Sequence, residues 1–293
     1  MEENDQIKQA NKSVGEVKTF TVPFALETIN TNNSIHTNYN TQNSKEQIIN
    51  QALKFHAKGH IKEAGKYYQR FIDKGFKDHI VFSNYGTILK VLGKLKEAEN
   101  CYRKAIEVNP DFNKAYWNLS LIELLKGDYE NGLENYEFRF KKENPMIPHG
   151  KPKIKLFDSN KLQREEKILV ISEQGLGDTL QYMRYIPYLR NQGLNIRFCA
   201  QEKLHTLIQA SSIDSDPLTS EQANQVSDGQ WIPLLSLPKY LKISPKNPIV
   251  TQPYIFSTDE LNQKWKGILS KEKKPIIGIN WQGNPKMETI YPG

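Results

Sequence analysis

Between residues 45 and 140 the small and apolar positions recur with a period of 34. Laying position 45 over 79 and over 113 aligns Ala52, Gly86 and Ser120, and then Gly59, Gly93 and Gly127. Ile61, Leu95 and Tyr129 follow, then Ala64, Ala98 and Gly132, then Tyr68, Tyr102 and Tyr136. This pattern predicts three helical hairpins. Each glycine serves as the left-handed stop of a first helix. The small residues let two helices approach, and the tyrosines and aliphatics fill the seam between neighbouring hairpins. One hairpin cannot bury its apolar face alone, so stacking supplies the core. Pro110 closes the second repeat.

The periodicity changes after Lys167. Ile168–Ile171 is a short β-branched run and reads as a buried strand. Gln174 to Asp178 reads as a turn, and Thr179 to Arg190 as a helix with Leu180, Met183, Ile186 and Leu189 on one face. A second strand is predicted over Asn195–Ala200, a helix over Lys203–Ala210, and a short apolar segment over Trp231–Leu237. Another strand is predicted over Pro275–Trp281. Alternating strands and helices predict a parallel α/β sheet.

The remaining stretches set the boundaries. Residues 1–44 are polar and rich in Asn and Thr, and cannot offset their ordering entropy by burial. They read as a disordered leader, with the repeats over 45–140. Pro145, Pro148, Gly150 and Pro152 mark a linker over 141–162. The α/β region then runs over 163–272, with the start of a second such region at 273–293.

Composition narrows the function classes. The formal charge is +7, but Lys and Glu are interleaved, and no basic stripe carries the aromatics that single-strand binders use. Nucleic acid is therefore not an expected partner. Cys101 and Cys199 fall in different elements and in no metal-binding spacing, so both read as small buried hydrophobes suited to a reducing cytoplasm. The acidic, polar N-terminus is no signal peptide. No apolar run approaches the roughly 18 residues of a membrane helix.

The period of 34 and its aligned columns resemble the tetratricopeptide repeat. That resemblance implies a solenoid holding a protein or peptide partner. The run Glu173 to Gln181, continuing through Arg184 to Pro187, carries a second resemblance. With Trp231–Pro238 and Gly278–Pro285, it is similar to bacterial tetratricopeptide proteins with a glycosyltransferase-like domain. These are related to lipopolysaccharide heptosyltransferases and, in layout, to O-linked N-acetylglucosamine transferases. The implied fold is an α-solenoid followed by an α/β Rossmann-like domain, the N-terminal half of a two-Rossmann (GT-B type) glycosyltransferase fold.

By its position alone, Asp178 either caps the helix that the glycine turn opens or acts as a base. The resemblance implies the second role: a general base that takes the acceptor hydroxyl's proton, with Gln174, Gly175, Gly177 and Arg184 on the acceptor-side loop. It also implies a nucleotide-sugar donor as substrate, with no cofactor and no metal. Lys286 is either a phosphate contact or a solvated loop lysine. Because the sequence stops at Gly293, just past the first strand of a second half, the expectation is a truncated family member that transfers no sugar by itself. The alternative is a non-catalytic interaction scaffold with a degenerate α/β domain. A dinucleotide fingerprint would need a third glycine where Leu180 stands, and Glu202 lies past the second strand.

Asn50, Asn84 and Asn118 occupy one register position in the three first helices. Amides repeated along a groove can clamp a peptide backbone, which resembles the asparagine ladder of O-linked N-acetylglucosamine transferases. They can equally bond within their own solenoid. His56, His60, His149 and His205 show no metal-ligand spacing.

Overall fold

The computed structural model describes residues 39–159, 161–249, 253–270 and 272. The leader up to residue 38, the expected strand over Pro275–Trp281 and Lys286 lie outside them.

Six helices form three antiparallel pairs: α1 (Tyr39–Ala57) with α2 (Ile61–Asp73), α3 (His79–Val91) with α4 (Leu95–Val108), and α5 (Asn113–Leu125) with α6 (Tyr129–Tyr136). The first helix begins at Tyr39, inside the stretch expected to be disordered. The stop signal behaves identically in each pair. Gly59, Gly93 and Gly127 have φ of 73°, 73° and 84°. In each, the next residue's N–H bonds back to a carbonyl five residues earlier: His60 to Phe55, Lys94 to Leu89, Asp128 to Glu123. This is the Schellman closure, which satisfies carbonyls that a helix end would leave bare.

The small-residue columns are where helices touch. Ala52, Ala64, Ala98 and Ser120 are fully buried, as are Tyr68 and Tyr102. A Cβ added at Gly86 would lie 2.8 Å from the Tyr102 ring, and one at Gly132 would lie 2.8 Å from Leu124. Asp78 caps α3, accepting from the N–H groups of Ile80 and Val81 at 3.0 Å each.

A short 3₁₀ turn, Glu137–Phe140, leaves the last helix and leads into the second unit. There, β1 (Lys167–Ile171), β2 (Asn195–Cys199) and β3 (Gln230–Pro233) form a parallel sheet in the order β2-β1-β3. Ile168 pairs with Ile196 on one side and with Gln230 on the other. The β1 side chains alternate between two apolar clusters. Ile168 and Val170 pack with Met183, Ile186, Ile208 and Leu237, while Leu169 and Ile171 pack with Cys199, Ala223 and Val226. Burial on both faces explains why β1 is an unbroken apolar run.

Two expectations need correction. The helix predicted over Thr179–Arg190 is two, α7 (Leu176–Tyr182) and α8 (Tyr185–Asn191). Pro187 has no N–H to give Met183 and would clash in an unbroken helix. The break instead places it in the first turn of α8, where no donor is needed. The stretch predicted as a linker is built into the α/β unit. Phe157 is fully buried in its core, Trp231 N–H donates to Lys155 O at 3.0 Å, and Phe157 N–H donates to Trp231 O at 2.9 Å. Residues 155–157 thereby lie along the outer side of β3. Leu218 does the same for β2, pairing with Cys199.

The remaining helices are α9 (His205–Ala210), α10 (Ser220–Asn224), α11 (Leu237–Tyr240) and α12 (Asp259–Leu269). No helix among the described residues is long and apolar enough to cross a membrane.

Candidate functional site

The three register-matched asparagines are not equivalent. Asn50 is exposed, whereas Asn84 and Asn118 are buried. The Tyr68 hydroxyl pairs with His56 Nδ1 at 3.1 Å. The buried Asn84 Nδ2 has no hydrogen-bond partner among the described residues. Burial, helped by the charge of Lys114, pulls the His56 pKa down to about 4. Desolvation likewise pushes the Tyr68 pKa far up.

A second group gathers at the α5 end of the same side. Lys114 and Trp117 are one turn apart on α5. Lys142, which follows the 3₁₀ turn, holds its ammonium 4.2 Å from the Trp117 ring centroid. The backbone there is fixed: Asn113 Nδ2 donates to Lys141 O at 2.9 Å, and Phe138 stacks on Tyr116 at 4.2 Å. Burial and the nearby Lys114 charge both lower the Lys142 pKa. Burial also lowers that of Lys90, which stands one repeat on from His56.

The repeats and the α/β unit meet at Arg139. Its side chain is 0% exposed. It donates from Nε to Glu173 at 3.0 Å, from Nη2 to Glu173 at 2.8 Å and to Ser236 at 2.7 Å, and from Nη1 to Glu137 at 2.8 Å. The guanidinium lies 4.5 Å from the Tyr136 ring centroid and 4.1 Å from that of Phe140. Burial opposes its charge, but the Glu173 and Glu137 carboxylates outweigh that and hold its pKa above the ordinary value. Sequence reading missed this cluster. The available signals were an arginine between two phenylalanines and a glutamate at the end of an apolar strand.

Glu173 begins the predicted acceptor-side loop. Gln174 adopts φ of 64° and donates from Nε2 to the Tyr136 hydroxyl at 2.8 Å, tying the loop to the last repeat helix. Gly175 N–H donates to Asp178 Oδ2 at 3.0 Å. Asp178 therefore caps α7, as one of its two sequence readings held, and remains half-exposed. Gly177 faces open space. Arg184 donates to Gln181 O at 2.7 Å and to the Tyr254 hydroxyl at 3.0 Å, neither of them in the loop. Gln201, just past β2, braces the loop: its Nε2 donates to Gln174 O at 3.3 Å, and its Oε1 accepts from Thr179 Oγ1 of α7 at 2.8 Å. No group of three or more His, Cys, Asp or Glu among the described residues is placed to hold a metal ion.

Comparison with known proteins bears on the helical half. Residues 81–112 match the family model of the tetratricopeptide repeat. The chain is 32% identical over 75 residues to the Hsp70-Hsp90 organizing protein of Triticum aestivum. That match covers 26% of this chain, and the chain spans 13% of the relative's own length. Among solved structures, the TPR2B domain of yeast Sti1 in its pHsp70 complex is 25% identical, with a TM-score of 0.31 over 34% of this chain and 79% of that one. The second TPR of Spaghetti (RPAP3), bound to the HSP90 peptide SRMEEVD, is 21% identical, with a TM-score of 0.32 over 35% of this chain and 98% of that one. The paired helices ahead of the α/β unit are a tetratricopeptide-repeat solenoid.

Proposed function

We propose that the repeats hold an extended peptide of a protein partner along the side lined by α1, α3 and α5. The observation that carries this reading is the buried Asn84 Nδ2, a donor with no hydrogen-bond partner among the described residues. A solenoid that only packed against itself would not need a buried donor left open. The likeness to an Hsp70-Hsp90 organizing protein over 75 residues supports a peptide-holding role. The test is a screen of the full chain against a displayed library of twelve-residue peptides, followed by hydrogen exchange. Enriched peptides should slow exchange in α1, α3 and α5. Enrichment of none, or protection confined to the α/β unit, would remove the reading.

A second reading concerns the α/β unit, which we relate to the acceptor-side half of sugar-transfer enzymes. It is supported by the place of the Gln174–Asp178 loop, at the carboxyl end of β1 where the strand order reverses. Open parallel sheets bind ligands at such points. Asp178 would take the proton of an acceptor hydroxyl. The test is release of nucleoside diphosphate from nucleotide sugars: release that disappears in Asp178→Asn would support this reading, and release that is unchanged in Asp178→Asn, or no release at all, would count against it.

A further inference from the structure

The side of the solenoid formed by α2 and α4 holds an apolar valley. A cavity of about 630 Å³ lies there, lined by Ile72, Phe76, Phe82 and Val108 together with the exposed Lys77 and Lys104. A second cavity, of about 310 Å³, shares Ile72, Phe82 and Lys104 and extends the valley to Tyr85 and Leu89. Phe82, from α3, is its buried floor, and Val108 stands 39% exposed at one wall. The chain also carries an apolar run outside the described residues. Residues 1–38 are mostly polar, but Phe20-Thr21-Val22-Pro23-Phe24-Ala25-Leu26 gathers both aromatic residues that precede Tyr39. Phe20, Val22, Phe24 and Leu26 alternate, so an extended chain puts all four on one side. Val22 precedes a proline, which favours extended backbone. Pro23 has no N–H to offer a sheet, but helices pair their own backbone and ask for none.

Topology brings the run to the valley. Because α1 is antiparallel to α2, its first turns lie beside the end of α2. Lys45 Nζ sits 5.9 Å from the Phe71 ring centroid, and Phe71 packs at 5.3 Å on Phe76 of the valley. The chain ahead of α1 therefore arrives at the valley's own end. Residues 27–38 reach about 40 Å when extended, well past the length of α4, whose 14 residues span about 21 Å. Seven extended residues cover about 23 Å, which matches the valley along α4. We propose that Phe20–Leu26 lies in this valley as an intramolecular strap, with its four alternating side chains over Ile72, Phe76, Phe82 and Val108. The strap ties the first two hairpins together and removes apolar surface from water. It leaves the side lined by α1, α3 and α5 open, so it stands apart from the peptide-holding reading.

The test puts photoreactive p-benzoylphenylalanine in place of Phe24 in the full chain. Cross-links are read by mass spectrometry in an equal mixture of ordinary and heavy-isotope-labelled chains. They are expected within single chains, to residues 72–82 and 104–108. Val108→Asp should cut their yield at least about fivefold by setting a charge in the apolar wall. Leu125→Asp, at an exposed leucine outside the valley, should leave the yield unchanged. Circular dichroism confirms that each variant is folded. A second measurement needs no change in the valley: Phe20→Ser combined with Phe24→Ser should speed hydrogen exchange of residues 104–108 at least about threefold, with the α/β unit unaffected. Cross-links that fall on the α1, α3 and α5 side or on the α/β unit, cross-links that join an ordinary to a labelled chain, or none at all would overturn the strap. A yield indifferent to Val108→Asp, or exchange unchanged in the double variant, would do the same.

Discussion

Arg139 and Glu173 form a fully buried ion pair with two parallel hydrogen bonds, at 3.0 and 2.8 Å. One partner lies in the turn that ends the solenoid and the other begins the loop after the central strand of the sheet. Removing one member strands a charge out of water, which typically costs about 3–5 kcal/mol. Arg139→Ala is therefore expected to destabilise the chain by about that much in urea titration. Arg139→Lys should not rescue it, because an ammonium cannot span both carboxylate oxygens. The same loss should appear in the repeats and in the α/β unit. Separate transitions already present in the wild type would show that the two units unfold independently.

Gly86 tests the close approach of helices. A methyl group there meets the Tyr102 ring at 2.8 Å, so Gly86→Ala should cost about 1–3 kcal/mol by overpacking. Gly59 has open space around it but φ of 73°. Gly59→Ala should cost about 1 kcal/mol through backbone strain alone. Thermal melting distinguishes the two, because Tyr102→Phe with Gly86→Ala should relieve nothing while Tyr102→Ala with Gly86→Ala should recover part of the loss.

Asp178 is expected to behave as a cap whatever else it does. Asp178→Ala removes the acceptor of Gly175 N–H and should cost about 1 kcal/mol, whereas Asp178→Asn should keep most of the stability. If Asp178→Ala melts at the wild-type temperature, the hydrogen bond to Gly175 contributes nothing.

His56 should give the chain an acid-sensitive component. Its folded pKa is lowered to about 4 from an ordinary value of 6.5, so the unfolded chain binds the proton more readily. Stability from this group is present above pH 6.5 and is lost progressively as pH falls toward 4. The full difference is at most about 3 kcal/mol. Denaturation at pH 7 and pH 5 should show the decline in the wild type and a flatter profile in His56→Gln.

The repeats were legible because their chemistry is local and periodic. A glycine at a helix end, or alanine where helices cross, is required wherever the hairpin recurs. The asparagine register was equally visible, but its burial was not. Asn84 and Asn118 have a preceding hairpin packed beside them, whereas Asn50 lies in the first described hairpin. Pro187 carried the break between α7 and α8 in plain sight, yet the apolar spacing across it argued for one helix. Arg139 and Phe157 depend on contacts distant in sequence: Arg139 with Glu173 and Ser236, and Phe157 with Trp231 and Tyr240. The phenylalanines on either side of Arg139 hint at burial, but neither its partners nor those of Phe157 can be read from nearby sequence.

Among the described residues, 155–157 along β3 and Leu218 along β2 cover part of the backbone that an incoming chain could zip onto. Recruitment by strand addition, and the slide toward fibrils that it invites, is thereby discouraged. Binding through the helices, as proposed above, would instead run through side chains.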